Sequence, residues 1–136
     1  MDEIYQVRTA TATSIKKLCK HFGDDWTTSR FVPQLTTLWD KAESYVEKTV
    51  VMYAFRALAF VAKGDVLMEQ LLPRVIEGCK DNTPNVKFIS VQTLQELTPN
   101  LDDMTKKNQV IPLLEEMQRD PDSDVQYYSS ICLDTL

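Results

Sequence analysis

The stretch IYQVR at residues 4–8 returns as SYVEK at 44–48, PNVKF at 84–88 and SDVQY at 123–127. In each, a short polar turn gives way to a valine that opens an amphipathic run. Val7, Val46, Val86 and Val125 stand 39, 40 and 39 positions apart. Pro33, Pro73 and Pro112 keep the same beat, at 40 and 39. Two independent marks at one period of about 40 residues signify an array of helix-pair repeats.

Working outward from these marks, apolar residues recur at three- and four-residue steps over residues 3–21, which predicts a first helix ended by Gly23 in a left-handed cap. His21, the single histidine, reads as a cap near that helix's end, because a metal ligand would need companions. A second helix is expected over 28–40, with Pro33 tolerated in its first turns. The third, 45–63, is apolar on nearly every side, as an interior layer would be, and Gly64 closes it. Further helices are expected at 66–80, 86–97, 106–119 and 125–136, with Asn85 and Asp124 as N-caps. No segment alternates with period two, so the class is all-α. The order is one second-type (B) helix followed by three A–B pairs, forming a single array over 1–136 with repeat breaks near 26, 65 and 103. Open apolar faces at both ends lead to the expectation that this is the C-terminal piece of a longer solenoid.

The totals suit a soluble globular protein. Apolar content of 43% and charged content of 26% are ordinary for that class. A net charge of −5 argues against nucleic acid, whose phosphates call for a basic stripe. The most apolar stretch, 50–62, carries Arg56 and is too short for a bilayer, and no signal-peptide pattern opens the chain. Cys19, Cys79 and Cys132 share no CxxC spacing and read as small buried residues of a reducing compartment, cytoplasmic and possibly nuclear.

Catalytic patterns are missing from the sequence. Asp120-Pro-Asp122-Ser-Asp124 opens like a calcium loop but has Val125 and Ile131 where glycine and glutamate are needed. The carboxylate pairs Asp24-Asp25, Asp102-Asp103 and Glu115-Glu116 fall in turns or on a polar helix face, not across a cleft. Neither an enzyme, a cofactor nor a metal is expected.

Proline in helix A, a D-x-x-x-x-V-[KR] motif entering helix B (Asp81 to Lys87), and the even period resemble HEAT repeats, and so imply a HEAT-repeat superhelical solenoid of one half repeat plus three helix pairs. The segments EIYQVRTATATSIKKLCKHFGDDW (3–26), LLPRVIEGCKDNTPNVKF (71–88) and LLEEMQRDPDSDVQYYSSICLDTL (113–136) are similar, in order, to the scaffold (A) subunits of protein serine/threonine phosphatase 2A.

That resemblance implies a noncatalytic scaffold whose intra-repeat turns hold the phosphatase catalytic subunit, while regulatory B-type subunits engage repeats outside this chain. The implied contact residues are Tyr5, Arg8, Ser44, Tyr45, Lys48, Thr83, Asn85, Lys87 and Ser123. Lys48 and Lys87 stand where the family tends to have arginine, losing a bidentate fork. Thr83-Pro84 replaces a small apolar pair, and Glu47 and Gln126 break the basic pattern beside the valine. Independently of the resemblance, a ridge of turns presents side chains at a fixed pitch, and exposed tyrosines are common hot spots. The competing reading is a HEAT-repeat nuclear transport receptor or another adaptor that binds peptides or small GTPases in grooves between helices.

Overall fold

The computed structural model describes residues 2–59 and 64–136, with the side chains of residues 2–12 and 24 outside the description. Among the described residues every regular element is helical: α1 (Asp2–Trp26), α2 (Val32–Lys41), α3 (Tyr45–Leu58), α4 (Leu72–Cys79), α5 (Pro84–Leu97), the single turn α6 (Asp103–Thr105), α7 (Ile111–Met117) and α8 (Ser123–Asp134). The pairs α2–α3, α4–α5 and α7–α8 pack within repeats, and α1, α3, α5 and α8 pack in succession as a second layer. This is the all-α, HEAT-like array that the period implies.

The three prolines shape the A helices in one repeated way. Widened π turns at Thr27–Phe31, Val66–Leu71 and Lys106–Val110 lead into α2, α4 and α7. One residue before each proline, the N–H of Val32, Leu72 or Ile111 donates five residues back, to the carbonyl of Thr27, Leu67 or Lys106. Proline has no N–H to give and its ring crowds the carbonyl four residues back, so a wider turn relieves both conflicts at once. The A helices therefore run through the proline, where the sequence suggested only tolerance near a start.

The core is a continuous stack. Helix α5 lies between α3 and α8 and against α4, and its Val86, Ile89, Val91, Leu94 and Leu97 are all buried. Each fully buried leucine of this kind contributes about 1.5–3 kcal/mol. Met52, Phe55 and Leu58 of α3 are likewise fully enclosed. The hydroxyls buried among them mostly bond their own helix: Thr49, Thr93 and Ser129 donate to the carbonyls of Tyr45, Ile89 and Val125. Gly78 allows α4 and α5 to approach closely, since a Cβ there would overlap Ser90 Oγ and lie 2.7 Å from Met52 Cε.

Several local expectations are corrected. Gly23, at φ 88° and ψ 175°, is non-helical and ends the first helix as expected, and a second helical segment follows it directly, so the span given as α1 is two helices joined across a kink. Thr83, not Asn85, is the N-cap of α5, because Pro84 takes the first helical position that suits a residue without an N–H. Asp122 caps α8, accepting from Asp124 and Val125 N–H at 3.0 and 3.1 Å, which places Asp124 inside the helix. Val86 and Val125 are fully buried, yet Val46 is 44% exposed, so the interior character of α3 does not extend to its first turn. Gly64 has φ 57°, in the left-handed region. Residues 60–63, the expected end of the third helix, lie outside the described residues.

Candidate docking ridge

The connections α2–α3, α4–α5 and α7–α8 each carry an aspartate-, serine- or threonine-based device that starts the B helix. In the first, Ser44 Oγ accepts from Glu47 N–H at 3.2 Å, and the Glu47 carboxylate reaches back to Glu43 N–H at 3.2 Å. This reciprocal arrangement satisfies N–H groups that the helix itself leaves unpaired. In the second and third, an aspartate folds the turn: Asp81 accepts from Thr83 N–H and Asp120 from Asp122 N–H, both at 2.9 Å. Short polar side chains at these positions are thus committed to the backbone.

The same aspartates tie neighbouring repeats together. Lys48 Nζ lies 2.7 Å from Asp81 Oδ2, and Lys87 Nζ lies 2.5 Å from Asp120 Oδ2. Partial burial pushes the Asp81 carboxyl up, but the bonds from Lys48 and the Thr83 backbone outweigh it and hold the group below the ordinary carboxylate range. Asp120 is held low by the same balance, through Lys87 and Asp122 N–H. Arg74 adds a fork, its Nε and Nη2 meeting Asp40 at 3.2 and 2.9 Å between α4 and α2. Arg56 bridges α3 to Glu96 of α5 at 3.2 Å.

The expected contact residues therefore separate by environment. Tyr45 is 54% exposed at the first position of α3, and Ser44, Asn85 and Ser123 are exposed. Thr83, Lys48 and Lys87 are half-buried, and both lysines are turned to the aspartate of the next turn. Tyr5 and Arg8 lie on α1, but their side chains are outside the described residues. The structure adds exposed apolar groups that sequence reading did not single out, Leu38 and Val50 around the first turn and Tyr127, 62% exposed, after the third, and it exposes the repeat-marking Val46 as well. The repeat register gave no signal for two of them, because Val50 aligns with Ser90 and Ser129, and Leu38 with Gly78 and Met117, all of which are buried.

Among the described residues no three His, Cys, Asp or Glu side chains are grouped as a metal-ligand set, and no helix is long and apolar enough to cross a membrane. An open groove of about 320 Å³ runs beside α4 and α7, lined by charged and amide groups such as Lys80, Asn108 and Glu116 as well as Ile76 and Pro112. It is neither enclosed nor predominantly apolar.

No family model matches the chain. The sequence is similar over 122 residues to the A-type regulatory subunit of protein phosphatase PP2A from Saccharomyces cerevisiae, at 29% identity across 84% of this chain. The two sequences are homologous. The chain spans 19% of that relative's length. This similarity is to the same scaffold family that the quoted segments resemble, and it coincides with a helix-pair array whose turns form one repeated edge.

Proposed function

We propose that this chain is a noncatalytic scaffold segment, of the cytoplasm or nucleus, that holds the catalytic subunit of a phosphatase 2A-type holoenzyme on its intra-repeat turns. The observation that carries this reading is the homology to an A-type PP2A regulatory subunit combined with exposed turn side chains that recur with the repeat: Tyr45 with Asn85, and Ser44 with Ser123. Regulatory B-type subunits are assigned to repeats outside this chain.

The ridge suits this work physically. Its backbone is fixed by the caps and aspartate folds described above, so exposed side chains meet a partner already ordered, and less entropy is lost on docking. Tyr45 supplies the largest exposed ring of the first turn. Lys48 and Lys87 act mainly by setting the spacing between turns, and Tyr5 and Arg8 complete the proposed contact set.

Calorimetric titration with purified phosphatase 2A catalytic subunit tests the proposal, with Tyr45→Ala alongside. Saturable binding is expected, weakened at least tenfold by the substitution, or about 1.4 kcal/mol. Absence of binding both by this chain and by a longer array containing it would overturn the reading.

A further inference from the structure

The sequence holds two Thr-Pro dipeptides, and the structure treats them oppositely. Thr98 is buried, and its Oγ1 donates to Gln95 O at 2.7 Å within a 3-10 turn. Thr83 is half-exposed on the ridge, with Asn82, Pro84 and Asn85 around it exposed. Its backbone is extended, φ −90° and ψ 122°, as a following proline requires, and its hydroxyl makes no capping bond to α5. A half-exposed threonine with extended backbone and proline directly after it is the local pattern that a proline-directed protein kinase reads.

We propose that Thr83 is a phosphorylation site for a proline-directed serine/threonine kinase, and that its modification loosens the Lys48–Asp81 tie between repeats. In the transfer, Thr83 Oγ1 forms the new bond to the γ-phosphorus of ATP while the bond to the β-phosphate oxygen breaks. The hydroxyl proton passes to the kinase's base, and ADP leaves. This proposal stands on the turn itself and does not require a phosphatase partner.

The consequence follows from position. Thr83 N–H donates to Asp81 at 2.9 Å, and the threonine hydroxyl also faces that carboxylate. A phosphate carries a charge of about −1.5 to −2 at neutral pH. Placed at the start of α5 it meets a favourable helix dipole, but it also stands beside Asp81 and competes for the Lys48 ammonium. Repulsion and competition act in the same direction on the Lys48–Asp81 contact. The contact between Lys87 and Asp120, one repeat later, has no hydroxyl at the matching place, where Asp122 stands and is followed by Ser123. The device is thus specific to one turn.

The test uses the whole folded chain, a proline-directed kinase competent on a peptide of residues 79–88, and Mg-ATP, read by intact mass and peptide mapping. One phosphate is expected, on Thr83. Thr83→Ala should abolish it, Thr83→Ser should retain it, and Pro84→Ala should slow it at least tenfold with an unchanged circular dichroism spectrum. Thr98 should stay unmodified until the chain is denatured. An unmodified Thr83 alongside a modified peptide, or equal modification of Thr98 in the folded chain, would overturn the site. In the phosphorylated protein the Asp81 carboxyl, followed by NMR, should titrate at higher pH than before; an unmoved titration would overturn the link to the inter-repeat tie.

Discussion

Lys48 Nζ reaches across 2.7 Å to Asp81 Oδ2, from the first turn of one B helix to the turn that opens the next. The contact joins two functions in one carboxylate, because the other oxygen of Asp81 accepts Thr83 N–H and folds that turn. Lys87 and Asp120 repeat it 39 residues later. Neighbouring repeats are therefore registered at the ridge itself, where a partner would read their spacing.

Asp81→Asn should weaken this tie while leaving the fold intact. A charge-assisted bond that is partly solvated contributes about 1 kcal/mol, so chemical denaturation should show a loss of that order. The pH dependence has a definite sign. Because the folded carboxyl of Asp81 sits below its unfolded value of about 3.9, the stabilisation is present above that value. It fades as pH falls through the lower folded value. Asp120 behaves in the same way. The double variant Asp81→Asn, Asp120→Asn should flatten the acid limb of the stability curve, and an unchanged limb would show that the contacts contribute nothing.

Gly78→Ala should destabilise despite alanine's better helix propensity. The added Cβ would overlap Ser90 Oγ, and it would lie 2.7 Å from Met52 Cε and 3.1 Å from Ser90 Cβ. Met52 can swing its methyl aside, but Ser90 is fully buried and short. Overpacking of this kind costs about 1–3 kcal/mol, against a propensity gain of about 1 kcal/mol. Ser90 Oγ has no hydrogen-bond partner. Ser90→Ala alone should consequently be neutral or stabilising, and it should rescue part of the Gly78→Ala loss in a double-variant cycle.

The cysteines should be silent toward thiol reagents in the native protein. Burial pushes the Cys132 thiol up to about 11, and burial, helped by the neighbouring Cys132, pushes Cys79 well above the ordinary thiol range. Thiolate is the reactive form, so at pH 8 alkylation of both should run no faster than unfolding. Rapid labelling of Cys79 with the fold intact would contradict this burial.

Much of this architecture was legible because repetition averages out local noise. The proline beat marked the A helices, and the valine beat marked the first turns of the B helices, although Val46 is exposed where Val86 and Val125 are buried. What stayed hidden was whatever depends on neighbours. The side-chain pattern around Pro33, Pro73 and Pro112 does not state that the preceding turn widens; that follows from three-dimensional continuity of the A helices. Asn85 and Asp124 have good capping side chains, but Pro84 and Asp122 claim the helix starts ahead of them. Lys48 and Lys87 read as outward-facing because their acceptors lie 33 residues on, beyond any local pattern.

Tyr127 and Tyr128, adjacent in sequence, should respond oppositely to truncation. Tyr128 is half-buried and packs edge-on against Phe88 of α5, with ring centroids 4.8 Å apart, so it joins the last two B helices. Losing that ring removes buried area and an aromatic pair, about 2 kcal/mol for a half-buried site. Tyr127 is 62% exposed, and its ring contact is Tyr128 itself, at 5.5 Å. Tyr127→Ala should therefore change stability by less than about 0.5 kcal/mol. Binding should show the reverse order for a partner that grips the ridge as far as α8: Tyr127→Ala weakens it in a normally folded chain, whereas Tyr128→Ala acts only through lost stability. Measuring denaturation and catalytic-subunit titration on both variants separates the two effects. Equal binding by wild type and Tyr127→Ala would confine the ridge to the turns before α8.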